Sequence, residues 1–548
     1  MDGNQYSNQG SRPWPPPRGS RIALIVGLTA VLAGMSRIPG DAGGGREWRM
    51  IGHDPSDTRN QPFERIVGPE NVGRLAVKWV ATTTGDVSAT PAVADGAVYF
   101  GDFGGTLWKL DAETGEVIWS HPVSDYTGIP GDITRTSPAL ARDTLVIGDL
   151  SAPNMIGVDA RTGDLRWITR LNGDSHAIIT GSPVLARDTI YVGTSQSGVS
   201  TFPGSLVALD AQTGTILWRT YSLPNPDGLA GGYWGAVMFA SPAVDLADGL
   251  VFATFKVAAG EPPSVKACNS AFPGGFDESC EQPGSYLSSI VAFDMQTGAT
   301  VWSHRVVGND PWQRACASQP PEVTWCAPEA DNPLNGGDKW DLGGSGPNVF
   351  EIGRGRRKRT VVGVGEKSGV YIVLDAKTGG FIWNTLIGPG GDMGGMEWGT
   401  AYEDNRIYVS ITNQHHIPYR LTRRGALTNR TATGGSWAAL DAETGQIIWQ
   451  TPDPQTETVG NQIVGVWDLA PVSAANGVVY TASMAKHGNQ FYALDGATGQ
   501  ILWAAQAGSS VNAGPAIVNR SIYWGSGYSR AGPVEGSGNN RLFAFILK

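Results

Sequence analysis

Short apolar–polar alternations punctuated by turn residues run through most of the chain, and one pattern recurs: apolar-Asp-x-x-Thr-Gly-x-x-x-Trp. It occurs seven times, with its Asp at Asp111, Asp159, Asp210, Asp294, Asp375, Asp441 and Asp495, and its Trp at Trp119, Trp167, Trp218, Trp302, Trp383, Trp449 and Trp503. The Asp can accept bonds from turn amides and Thr-Gly supplies a tight turn. The residues after Gly alternate as a strand, and the Trp offers a large apolar face plus one N–H for a neighbouring repeat. Upstream of most copies lies a Pro-containing alternating segment followed by a second turn, as in Ser88–Phe100, Thr136–Ile147 and Gly181–Val192. Two hairpins per repeat predict a four-stranded blade, and internal repetition of this kind predicts a β-propeller. Gly514–Phe545 supplies strands without a closing Trp, while Leu75–Thr82 is an orphan strand carrying Trp79. Pairing the two predicts an eighth blade closed by an N-terminal strand, which leaves no open edge.

Composition agrees. Gly is 75 of 548 residues, Trp 19, and charged residues only 16%. The net charge of −10 argues against nucleic acid, because phosphate binding needs excess Lys and Arg. The one basic run, Arg354–Arg359, reads as a solvated hairpin tip. Residues 1–45 read as a polar leader followed by an uncharged stretch, Ile22–Met35, suited to a signal peptide or an N-terminal membrane anchor, and 46–548 as the all-β propeller. Either leader predicts export, to the periplasm, the medium or the outer face of the cell membrane. Cys268 with Cys280 and Cys316 with Cys326 are then expected as two disulfides pinning long insertions. These insertions fall around residues 255–290, 305–345 and 412–435. No CxxCH stands in the chain, so no covalent haem is expected.

Trp-ended repeats of this type resemble those of the pyrroloquinoline quinone (PQQ) alcohol dehydrogenases, and specifically the branch containing polyvinyl alcohol dehydrogenase. Trp48–Asn60 (WRMIGHDPSDTRN), Asp174-Ser175-His176, Glu366–Asp375 and Pro389–Trp398 carry the resemblance, which covers roughly residues 48–547. It implies an exported dehydrogenase that oxidises a secondary alcohol or hydroxylated organic molecule, with hydride passing to the quinone and electrons leaving to a separate acceptor such as a cytochrome c. It implies Asp341 as general base, Lys367 as the cation on the quinone oxygens and Arg135 on a quinone carboxylate. It further places Phe239 (or Met238) under the quinone, with Ser195, Glu397, Trp398 and Trp467 around it.

The departures concern the metal. The loop Gly193–Gly204, where such proteins carry a metal-binding Glu, has no carboxylate, and Lys256 stands about where a ligating Asn is expected. A hard divalent cation needs several oxygen ligands, so no metal site is expected. Two accounts follow: the Lys256 ammonium stands in for the cation and PQQ still binds, or the centre serves a specialised metabolite without PQQ or calcium. A non-enzymatic scaffold similar to outer-membrane assembly propellers is a third reading. His415-His416 is expected in a substrate-facing loop, since adjacent strand residues point opposite ways.

Overall fold

The computed structural model describes residues 46–548, apart from 197–200, 225–231, 273–276, 307–341, 343, 392 and 530–535. Eight four-stranded antiparallel sheets are present, each one blade. In blades one to seven the chain runs outward from a short inner strand, such as Ala92–Ala94 or Ala139–Ala141, to an outer strand whose third residue is the motif Trp. In the eighth, Ala516–Val518, Ser521–Ser526 and Arg541–Leu547 are completed by Leu75–Thr82 as the outer strand, paired from Leu75 with Leu547 to Thr82 with Arg541. The expected N-terminal closure is therefore present.

Each motif acts as its chemistry dictates. The Asp441 carboxylate accepts from the amides of Glu443 and Thr444 and from the Thr444 hydroxyl, and the other copies repeat this turn. The indole then crosses to the next blade. Trp119 donates to the Ala160 carbonyl, Trp167 to Ala211, Trp218 to Met295, Trp302 to Ala376, Trp383 to Ala442 and Trp449 to Gly496. Trp503 donates to Leu75 in the closing strand, and Trp79 of that strand donates to Ala112 of blade one, at 3.1 and 3.2 Å. The relay is circular. The motif Gly receives the ring: Gly499 has φ +74°, and a Cβ there would lie 2.5 Å from Trp449, so both its left-handed turn and its lack of a side chain are needed.

A second element ties the blades from inside. Residues 48–61 pass along the inner strands of seven blades. Trp48 pairs with Val93, the amides of Leu140, Val244, Val349 and Tyr402 donate to the carbonyls of Arg49, Pro55, Ser56 and Thr58, and Ala474 bonds both Arg59 and Gln61. The Gln61 side chain reaches Ile517 of blade eight. The motif turns and this clasp lie toward one face of the ring. The loops that precede each inner strand, and those that join the second and third strands, lie at the other.

Of the insertions, the one in blade four holds Pro263–Asn269 as a helix, with Cys268 bonded to Cys280. That in blade six is a hairpin, Tyr419–Arg423 with Ala426–Ala432. A further hairpin, Thr456–Val459 with Gln462–Gly465, was not expected. The basic run is an exposed hairpin tip in blade five. Cys316, Cys326 and the leader lie outside the described residues. No described helix is long and apolar enough to cross a membrane.

Trp449 is 2% exposed and holds both a carbonyl and a glycine of the next blade. Trp449→Ala should cost about 3–5 kcal/mol, the range for emptying a buried Trp site, read as a drop in unfolding free energy by denaturant titration.

Candidate functional site

The residues singled out above come from the loops of one face. Arg135 precedes the inner strand of blade two and Phe239 that of blade four. Glu397 and Trp398 precede that of blade six and Trp467 that of blade seven. Ser195, Lys256 and Lys367 follow the second strands of blades three, four and five.

The loops converge on the ring axis. Arg135, Phe239 and Trp398 line one central cavity. The Arg135 guanidinium lies over the Trp398 ring at 4.5 Å, and the Lys256 ammonium over the Phe239 ring at 4.5 Å. Both are cation–π distances. Lys367 meets Glu397 at 3.5 Å, with both side chains nearly buried. Met238, the other residue considered for the floor, is fully buried against Gly193 instead. Trp467 packs in an apolar cluster with Phe103, Ile133, Met484 and Tyr528, against which Trp398 also lies. It thus backs the cavity wall. Asp341 lies outside the described residues.

Trp398 is held in a costly conformation. Its φ is +61°, a region that bulky residues avoid. The peptide is fixed by its amide on the Gly344 carbonyl at 2.8 Å, and a Cβ at Gly344 would lie 2.4 Å from the Glu397 carboxylate. Strain of this kind, of order 1–3 kcal/mol, persists where the surroundings over-determine a residue. Among the described residues, Trp398 Nε1, Asp57 Oδ1 and Asn512 Oδ1 belong to residues lining the cavity and are buried without a hydrogen-bond partner, as is Ser195 Oγ. Beneath this layer Glu366, next to Lys367, is fully buried, with one oxygen accepting from Ser368 and the other unpartnered. Burial pushes its carboxyl up to about 8. Sequence reading passed over Glu366, because only the loop's burial distinguishes it from an ordinary turn acid. Burial likewise raises Asp468, which faces Asp453 behind Trp467.

The donor set suits a planar, multiply carboxylated quinone better than a metal. Arg135 and Lys256 bring two cations to flat aromatic faces, Lys367 adds a third against Glu397, and Ser195 Oγ and Trp398 Nε1 supply polar contacts. Lys256 is donor-only while ammonium and cannot ligate a cation. Among the described residues no group of three His, Cys, Asp or Glu is placed to hold one. His416 bonds the Gly465 carbonyl at 3.0 Å and lies 3.8 Å from Glu457, while His415 rests near Gly391.

A family model described as outer membrane protein assembly factor BamB matches residues 75–252 and 433–536, just over half of the chain. The polyvinylalcohol dehydrogenase of Pseudomonas sp is 26% identical over 91% of this chain and 77% of its own. That of Sphingopyxis sp. (strain 113P3) is 28% identical over 93% and 78%. The chain belongs to the PQQ-dependent quinoprotein alcohol dehydrogenase family. In this quinoprotein the same fold extends to a solved relative. The quinohemoprotein alcohol dehydrogenase of Comamonas testosteroni superposes with a TM-score of 0.66 at 20% identity, over 92% of this chain and 81% of that one. BamB of Moraxella catarrhalis superposes with a TM-score of 0.50 at 14% identity, over 86% and 99%. The Cys268–Cys280 disulfide accords with an extracytoplasmic protein.

The folded Glu366 carboxyl holds its proton up to about pH 8, whereas the unfolded one sheds it near 4.5. The folded state therefore binds more protons in this window, and stability falls as pH rises through it. Glu366→Gln removes that dependence. The variant should unfold at higher temperature than wild type at pH 8, with a gap that shrinks toward pH 5, on the order of 1 kcal/mol per pH unit at most.

Proposed function

We propose that this quinoprotein is an exported PQQ-dependent alcohol dehydrogenase whose cofactor pocket works without calcium. The observation that supports it is the convergence of Arg135 on Trp398 and of Lys256 on Phe239 in one axial cavity. Bound there, the quinone supplies the hydride acceptor. Arg135 would hold a quinone carboxylate through paired N–H donors, and Trp398 and Phe239 would cover the ring faces. Lys367, positioned by Glu397, would place positive charge on the quinone oxygens. Lys256 would supply near Phe239 the charge that a metal would otherwise bring. Asp341 would take the hydroxyl proton of a secondary alcohol or related hydroxylated molecule, and a separate cytochrome c or soluble acceptor would take the electrons.

The scaffold alternative has the assembly-factor family description behind it. Against it stand the dehydrogenase relatives that match more than nine-tenths of the chain.

Titration of purified protein with PQQ should show uptake by absorbance in excess chelator, with dye-linked oxidation of secondary alcohols unchanged by added Ca²⁺. Lys256→Met and Arg135→Ala should each weaken uptake by about ten- to a hundredfold, as expected for losing a charged contact. No uptake with or without Ca²⁺ refutes the dehydrogenase reading, and uptake only with Ca²⁺ refutes the role given to Lys256.

A further inference from the structure

The central cavity does not end at Trp398 and Phe239. It continues down the ring axis, lined by the hydroxyls of Ser88, Thr90, Ser137, Thr180, Ser182 and Ser241, to the carboxylate of Asp57 in the clasp. Several of these hydroxyls are stepped from blade to blade. The Thr90 amide donates to Ser137 Oγ, the Ser137 amide to Ser182 Oγ and the Ser182 amide to Ser241 Oγ, at 3.0, 2.9 and 2.9 Å. Each hydroxyl keeps a proton of its own to donate. These hydroxyls form a belt around the cavity, whose volume of about 50 Å³, against the ~10–15 Å³ one water requires, leaves room for water to bridge the belt and Asp57.

Asp57 closes the cavity and is built for its place. It is 3% exposed, its φ is +53°, and its Oδ1 has no hydrogen-bond partner. A Cβ on Gly52 would lie 1.9 Å from that oxygen, so the chain leaves room for the carboxyl alone. Next to it in the clasp, Asp54 has a side chain 30% exposed, with Oδ2 3.5 Å from His53 Nδ1. One acid thus faces the shaft, and its neighbour reaches solvent on the side of the clasp.

We propose that this axial shaft is a proton conduit through the ring, with Asp57 receiving protons from the cofactor pocket and passing them to Asp54 at the opposite face. The inference rests on the dehydrogenase reading. Oxidation of a secondary alcohol to its ketone breaks one C–H and one O–H bond, forms the carbonyl π bond and releases two electrons and two protons. The electrons leave to a one-electron acceptor of the cytochrome c class. The protons must leave a pocket walled by Trp398, Phe239 and Trp467.

The charges around Asp57 suit the role. Burial opposes the anion most strongly, Arg59, itself fully buried, favours it, and Asp54 opposes it; the balance pushes the carboxyl up to about 8. Arg59 is itself lowered to about 10 and is held by Val472, Ile51 and Thr90. Among the described residues, Asn348 donates to the Asp57 carbonyl and accepts from the Tyr371 phenol behind it. An acid whose midpoint lies near working pH can both accept and release a proton.

Asp57→Asn keeps shape and removes the titration. Infrared difference spectra of the full chain without cofactor should show a protonated carboxyl at pH 7 in wild type that is absent from the variant. With equal quinone loading, kcat of Asp57→Asn should fall about tenfold or more, with KM unchanged and a larger solvent deuterium isotope effect. Asp54→Asn, at a partly exposed position, should keep its fold and shift the pH profile of kcat. Wild-type kcat and isotope effect in loaded Asp57→Asn overturn the proposal. Should that variant fail to fold, an unchanged pH profile in Asp54→Asn does so. If wild type takes up no quinone, the dehydrogenase reading fails, and the infrared comparison still decides: a protonated-carboxyl signal at pH 7 that is identical in wild type and Asp57→Asn overturns the shaft.

Discussion

One contact sets this molecule's geometry: a tryptophan N–H donated to a backbone carbonyl of the next blade, repeated around the whole ring. Any one such bond contributes about 1 kcal/mol net. Its larger effect is positional. Each indole is held at one end by its own strand and at the other by a carbonyl of the neighbour, and every one but Trp503 also lays its face on the neighbour's turn glycine. Neither the spacing nor the angle between blades is free to vary, because a displaced ring would meet backbone. Every loop of the opposite face is therefore delivered to a defined place relative to the axis.

That delivery lets isolated residues of several blades form one constellation. Arg135, Ser195, Lys256, Lys367 and the Glu397–Trp398 pair stand far apart in sequence. Two of the cations pack on aromatic faces and one against a carboxylate. The positive φ of Trp398 shows what the arrangement costs, and its amide bond to Gly344 shows how the neighbouring loop carries that cost.

The propeller was legible because its information is local and repeated. Asp, Thr-Gly and Trp at fixed offsets specify turn, strand and docking contact within a single short motif, and the orphan Trp79 strand could be matched to a blade lacking its last strand. Much of the pocket could be nominated from resemblance, although the stacking of Lys256 on Phe239 depends on a meeting of two loops that no spacing encodes. The clasp was visible only as the string WRMIGHDPSDTRN. Its backbone carbonyls serve the amides of distant blades, and backbone bonding leaves no side-chain signature. Asp57 and Glu366 were missed for a related reason: an acid in a Gly-rich stretch reads as a surface turn until burial is known.

The seam in the eighth blade carries a consequence for how the molecule comes to exist. Leu75–Thr82 pairs with Arg541–Leu547, so the first strand made waits for the last. A chain that emerges N-terminus first can stack its blades one by one along the row. The circle closes only when Arg541–Leu547 arrive, and the entropic cost of joining such distant segments falls on that single step. Until then the row has two raw edges, and Trp79 and Trp503 have no complete neighbour to grip. Ring closure thereby awaits Arg541–Leu547, and a chain cut before those residues would lack the joint itself rather than one blade in eight.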